Sequence, residues 1–122
     1  MINRHLIGKK AESLAALFLK NKGFKIIEKN YHARVGEIDI IAKDEKDIWH
    51  FVEVKSKRLG SRFGTPEEAV NEVKRERIMK TVEVYLDENR LDDIEVSLDI
   101  VVVTFNRYYR VVRIELLKGD FE

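Results

Sequence analysis

Residues 50–57 read HFVEVKSK, a run of sheet-forming residues that carries Glu53 and Lys55 two positions apart. On a strand, side chains at i and i+2 point to the same face, roughly 7 Å apart. One acid and one base therefore stand side by side at the end of a valine-rich segment. Upstream, the run GEIDIIAK places Glu37 and Asp39 at the start of a second apolar segment. If the two segments pair antiparallel, the start of one lies beside the end of the other. Glu37 and Asp39 would then neighbour Glu53 and Lys55. Carboxylates gathered beside an apolar core repel one another, and unpaired buried charge is expensive. A divalent cation relieves that repulsion, and Mg²⁺ favours a few carboxylate oxygens together with water and substrate phosphate. A neighbouring lysine could orient or deprotonate a water, or stabilise charge developing on a phosphate. The chemistry available to such a set is metal-assisted phosphodiester hydrolysis.

One condition and one alternative attach to this reading. Asp39 and Glu53 share a face only if the connection between the strands has an odd number of residues or contains a bulge, because a one-residue slip flips every side chain. The ordinary alternative is a solvated surface pair, worth about 0–1 kcal/mol.

The elements that must hold these residues are legible from periodicity. GKKAESLAALFLKNKG predicts a first helix that ends at Gly23, with Ala11, Leu14, Ala15 and Phe18 in an i, i+3, i+4, i+7 stripe. FKIIEKNY, GEIDIIAK and IWHFVEVKSK predict three strands, and RLGSRFG a loop. TPEEAVNEVKRERIMKTVEVYLDENR predicts a second helix, whose Thr65, Pro66 and Glu68 form a capping box. IEVSLDIVVVTF and YYRVVRIELL close the chain as strands around a hairpin at Asn106–Arg107. The order α-β-β-β-α-β-β argues for an α/β domain with a mixed sheet flanked by helices.

Composition sets the outer bounds. The 122 residues suit one domain, 1–122, with a single sizeable core. The 23 Lys and Arg nearly balance 22 Asp and Glu, so a nucleic-acid partner needs a local basic patch. The absence of cysteine excludes disulfides, zinc–thiolate sites and thiol catalysis. The opening MINRHLIGKK has no long apolar stretch and no run approaches membrane-spanning length, giving the expectation of a cytoplasmic protein without a membrane partner.

Asp39 followed one hairpin later by Glu53-Val54-Lys55 resembles the D…ExK core of the PD-(D/E)xK nuclease superfamily. GEIDII, FVEVKSK, RFGTPEEAV, Lys74 and LDIVVV, in that order from about Gly8 to Val103, resemble the YraN-like family of small bacterial proteins within it. The resemblance implies a restriction-endonuclease-like, three-layer fold related to archaeal Holliday-junction resolvases. It implies Asp39 and Glu53 as ligands of Mg²⁺ or Mn²⁺, Lys55 as the residue that assists the attacking water, and Glu12 on the first helix as a further acid of the site. Two departures stand out. Lys57 occupies a place where the family pattern suggests arginine, keeping charge but losing bidentate phosphate contact. Ser97-Leu98 stands before Asp99 where Arg-Phe is expected.

Further residues stand near this set in the sequence pattern. Glu12 falls at the apolar border of its helix. Lys74 precedes Ile78, Val82 and Tyr85 on one stripe, compatible with a phosphate contact or with a stem lying over apolar surface. Lys57, Arg62 and Lys74 are the candidate nucleic-acid contacts within a basic rim that also includes Arg58, Arg75 and Arg77. Asp99 is either beside the site, the reading the resemblance favours, or a paired acid at a sheet end; His5, His32 and His50 are expected to be structural, and Trp49 and Phe51 are expected in the core. The resulting expectation is a Mg²⁺-dependent deoxyribonuclease (an endonuclease) acting on DNA, with branched or structured DNA as a candidate substrate and a homodimer as its assembly. The alternative is a non-catalytic module of the same fold that binds nucleic acid or protein.

Overall fold

The computed structural model describes residues 3–60 and 72–119. Helix α1 (Arg4–Asn21) is followed by strands β1 (Lys25–Ala33), β2 (Gly36–Lys43) and β3 (Trp49–Arg58), helix α2 (Glu72–Glu88), and strands β4 (Val96–Phe105) and β5 (Val111–Leu117). The element order is the expected one. Helix α1 begins four residues earlier than its periodicity suggests, because the Asn3 side chain caps it by accepting from the Leu6 N–H at 2.9 Å. Its end is as anticipated. Gly23 adopts a positive φ of 97°, while the N–H groups of Gly23 and Phe24 return to the carbonyls of Lys20 and Leu19. The predicted capping box at Thr65–Glu68 lies outside the described residues. Strand β5 starts later than expected. Asn106 Oδ1 accepts from the N–H groups of Tyr108 and Arg110, tying Tyr108–Arg110 into the turn.

The five strands lie in sequence order, antiparallel except for the parallel β3–β4 pair. That parallel step is the crossover spanned by α2, and it makes the sheet mixed. Alternation then divides the core into two layers. Ala11, Ala15 and Leu19 of α1 pack on Ile40, Val52, Val101 and Val103. Ile78, Val82 and Tyr85 of α2 pack on Ile41, Phe51, Ile100 and Val102 on the opposite face. This is the three-layer arrangement expected, a mixed sheet flanked by a helix on each face. Phe51 is buried and Trp49 packs half-buried at the margin of the second layer, each against the Tyr85 ring.

One expectation about faces is corrected. Ile38 and Ile40 should share a side of a regular strand, yet Ile38 packs in the α2 layer and Ile40 in the α1 layer. The strand turns over between them, at Asp39. Across from Asp39, between the pairs Lys29–Ile40 and Tyr31–Ile38, β1 holds Asn30 at a φ of 55°. A left-handed residue there lets both strands rotate together.

The β1–β2 turn then presses on α2 through Gly36. A methyl group at Gly36 would stand 2.7 Å from Thr81 Oγ1 and 3.2 Å from Arg77 Cγ. Thr81 cannot easily yield, since it is fully buried and its hydroxyl donates to the Arg77 carbonyl at 2.7 Å. Gly36→Ala should therefore destabilise the fold by about 1–3 kcal/mol, the usual penalty of overpacking. Thermal denaturation checks this; an unchanged Tm would show that the turn and helix are not in tight contact.

Candidate active site

Strands β2 and β3 are joined by the five residues Asp44–Ile48, an odd number, and pair with Ile40 opposite Val52 and Ile41 opposite Phe51. This register carries Asp39 towards Glu53 on one side of the sheet. The condition set by the sequence is met. The paired ladder runs only as far as Ile40 and Val52, and beyond it the Val54 N–H donates to Asp39 Oδ2 at 2.8 Å. A side-chain oxygen thus takes over where the strands part, which fixes the Asp39 carboxylate against the middle of β3.

Glu53 and Lys55 stand beside Ile100 and Val102 in the parallel ladder, so both project on the α2 side. Glu53 Oε1 lies 2.8 Å from Lys55 Nζ and 3.2 Å from Lys74 Nζ, the second arriving from α2. The Glu53 and Lys55 side chains are each only 18% exposed. This is unlike a surface pair, whose contribution solvent would largely screen. Asp39, Glu53, Lys55 and Lys74 line an open groove of about 780 Å³ between the β1–β2 turn and α2. Arg34 on the turn and Arg77 on the helix line the same groove.

Burial raises the Asp39 carboxyl from 3.8 to about 6, against the pull of the Val54 N–H and with help from the charges of Glu53, Glu12 and Glu37. Glu12 on α1 is thus near enough for its charge to be felt. Burial would lower Lys55, but the hydrogen bond and charge of Glu53, with Asp39 beyond, hold its pKa above the ordinary lysine value. Lys74 moves the other way, through burial and the neighbouring Lys55 ammonium. Lys55 is therefore a firmly protonated cation, suited to stabilising negative charge rather than to taking a proton.

The remaining sequence candidates separate. Lys57 lies further along β3, and lines a different cleft with Ile7, Ser56, Arg58, Phe105 and Tyr109. Arg62 lies outside the described residues. Asp99 does not join the site. It shares the α1 face with Val101 and Val103, where it accepts from Ser97, Gly119 and the His50 ring. His50, gripped by Asp99 on Nδ1 and Asp44 on Nε2, is buried; desolvation would lower its pKa but the two carboxylates raise it. That network secures the β2–β3 connection, so His50 is structural as expected. His32 pairs with Glu37 at 3.2 Å on the groove's margin. Arg34 had no individual signal in the sequence: it is one exposed arginine in a turn, and only the turn's approach to α2 places it over the groove.

A model described as "Uncharacterised protein family UPF0102" matches residues 11–103. The chain belongs to this family. UPF0102 proteins of Clostridium tetani and Syntrophus aciditrophicus are 40% and 44% identical to it, over 95% and 94% of this chain and 93% and 87% of theirs. The YraN-like resemblance in the sequence is to this same family, and the UPF0102 match encloses Glu12, Asp39, Glu53, Lys55 and Lys74 alike. Among solved structures, the EndoMS–dsDNA2 complex aligns with 82% of this chain at 14% identity and a TM-score of 0.43. A repair endonuclease from Pyrococcus abyssi aligns with 76% at 15% identity and a TM-score of 0.38. The chain spans 35% of each of those longer proteins, and likenesses so distant carry no argument about its chemistry.

For UPF0102, then, the site must be read from its own donors. Among the described residues no cluster of three or more His, Asp or Glu side chains is arranged to enclose a metal. Two carboxylates, Asp39 and Glu53, suit a hard cation that keeps much of its water, as Mg²⁺ does, and not a fully protein-enclosed site. No described helix is long and apolar enough to cross a membrane.

The sign of the Asp39 shift gives a stability test. A carboxyl raised in the folded state favours folding below its unfolded value near 3.8, and that contribution is lost as pH climbs through about 6. Replacing it with a neutral amide should therefore stabilise the metal-free protein above pH 6. The shift corresponds to about 3 kcal/mol at 1.36 kcal/mol per unit; screening by the open groove reduces the expectation to about 1–2 kcal/mol. In EDTA, Asp39→Asn should melt higher than wild type at pH 8 and close to it at pH 4. A lower Tm at pH 8 would show that the carboxylate is satisfied by the protein alone.

Proposed function

We propose that this protein is a metal-dependent endonuclease that hydrolyses DNA phosphodiesters. The observation that carries the reading is the convergence of Asp39, Glu53 and Lys55 on one groove faced by Lys74 and Arg77. Asp39 and Glu53 would hold Mg²⁺ or Mn²⁺. When bound, that cation supplies Lewis-acid polarisation of a phosphate and a more acidic water.

The chain's own residues do the rest. The Val54 N–H fixes the Asp39 carboxylate, and Lys55 and Lys74 fix that of Glu53. Lys55, kept protonated by Glu53 and Asp39, places positive charge where a phosphorane would gain negative charge and orients a water by hydrogen bonding. Arg77 and Arg34, on opposite walls, are placed to hold the flanking phosphates by their planar forks. Glu12, at the border of α1, adds negative charge near Asp39 and strengthens the demand for a cation. A groove open to solvent admits structured as well as linear DNA, and cutting two strands of a junction would call for a homodimer.

One observation favours a second reading. Glu53 is already neutralised by two lysine ammoniums, as it would be in a binding module that never takes up metal. Incubation of purified protein with linear, nicked and four-way-junction DNA, with and without Mg²⁺ or Mn²⁺, separates the two. Metal-dependent cleavage that falls at least about 100-fold in Asp39→Ala and in Lys55→Ala is expected, since removing one stabilising group of this kind costs about 10²–10³ in rate. Equal cleavage by wild type and Lys55→Ala would place the activity elsewhere. Salt-dependent binding without cleavage would establish the module.

A further inference from the structure

Net charge is almost zero over the whole chain, yet among the described residues three neighbouring segments at one end of the sheet carry only basic charges. The opening of α1 contributes Arg4, Lys9 and Lys10, all exposed, and has no acid in its first turn. The end of β3 contributes Lys57 and Arg58, and the β4–β5 turn Arg107 and Arg110. No Asp or Glu occurs in residues 4–10, 56–60 or 106–112.

These three segments are in contact. Lys10 Nζ donates to the Tyr109 carbonyl at 3.2 Å and sits 5.7 Å from the centre of the Phe105 ring. Arg58 donates to the Tyr109 hydroxyl at 2.8 Å, with its guanidinium 5.3 Å from the same ring. Between them lies a cleft of about 230 Å³. The turn is held by its own hydrogen bonds: Asn106 Oδ1 accepts from two backbone N–H groups at 2.8 and 3.0 Å, and Asn106 N–H donates to the Arg110 carbonyl. On this fixed turn Tyr108 is 71% exposed, with the Arg107 guanidinium 5.6 Å from its ring centre.

We infer that the β4–β5 turn, with the start of α1 and the end of β3, is a second nucleic-acid contact of this protein: its cations hold phosphates and Tyr108 stacks on an unpaired base. Clustered cations without acids are what a polyanion's backbone requires, and an exposed aromatic ring among them offers a platform that any unpaired base can use. Preorganisation of the turn lowers the ordering cost of contact. Strand β3 links the two surfaces, since Lys55 in the groove and Arg58 in the cleft are three residues, about 10 Å, apart. The groove opens on the α2 side of the sheet and the cleft on the α1 side, so a nucleic acid that engages both wraps around the sheet. The contact therefore suits DNA in which paired and unpaired segments adjoin, as in forks, flaps and junctions. The inference takes its nucleic-acid partner from the reading of the groove but does not require hydrolysis.

The test is fluorescence anisotropy in EDTA, where cleavage is absent, with forked DNA, blunt duplex and an unstructured single strand as probes at several salt concentrations. Four proteins are compared: wild type, Arg107→Ser/Arg110→Ser, Tyr108→Ala and the groove variant Lys74→Ala. All the altered residues of the turn are exposed, and equal Tm values establish that the variants are folded. The double variant should bind every probe at least about tenfold more weakly, with a salt slope shallower by about 1.5. Tyr108→Ala should weaken forked and single-stranded probes and leave blunt duplex unchanged. Binding weakened only by Lys74→Ala would overturn the inference and leave the groove reading standing. Turn-dependent binding without any metal-dependent cleavage would uphold the inference and overturn hydrolysis. Failure of wild type to bind any probe, or binding only to anionic phosphatidylserine vesicles, would overturn the inference.

Discussion

The hydrogen bond from the Val54 N–H to Asp39 Oδ2 is the interaction on which the site depends. Strands β2 and β3 are paired up to Ile40 and Val52, and there the backbone ladder gives way to a side chain. The strand that would otherwise have continued flat turns over, sending Ile38 beneath α2 while Ile40 remains beneath α1. Asp39 sits at that rotation, with its carboxylate bonded to the middle of β3 beside Glu53 and Lys55. The same feature sets the energetic problem of the site. A partly buried acid, near the charges of three others, is pushed up to about 6, and among the described residues it accepts from one backbone donor.

The rest of the fold holds this arrangement in place. The parallel β3–β4 pair lies in the interior of the sheet and buries Phe51, Ile100 and Val102 against α2. Burial of that layer, at roughly 1.5–3 kcal/mol for each large side chain, keeps the helix seated on the sheet. Seating α2 is what places Lys74 within 3.2 Å of Glu53. On the opposite face α1 packs through Ala11, Ala15 and Leu19, small residues alternating with a larger one, and keeps Glu12 at the border nearest Asp39. The network of His50 with Asp44 and Asp99 secures the far end of the same hairpin, opposite the parted end that holds Asp39.

The sequence made the constellation legible because alternation is rigid. Once GEIDIIAK and HFVEVKSK are strands of one hairpin, the faces of Asp39, Glu53 and Lys55 follow from residue parity, and the odd connection Asp44–Ile48 completes the argument. Alternation also misled. Asp99 opens an apolar run like the catalytic candidates do, but its parity with Val101 and Val103 places it under α1, and nothing local reveals that His50 waits there. The rotation of β2 at Asp39 was hidden, since it depends on Asn30 in a different strand adopting a left-handed conformation. Arg34 was hidden for a similar reason, because the approach of a turn to a helix is set by tertiary packing at Gly36. Propensity described the elements well; the distances between them come from packing.

The central claim is that the Asp39 and Glu53 carboxylates together form the seat of a divalent cation. Anomalous diffraction from crystals equilibrated with Mn²⁺ addresses it most directly. The account predicts a single strong peak in contact with both carboxylates, lost in crystals of Asp39→Asn. A peak bound elsewhere, or none while Lys55 and Lys74 stay clasped to Glu53, would contradict it.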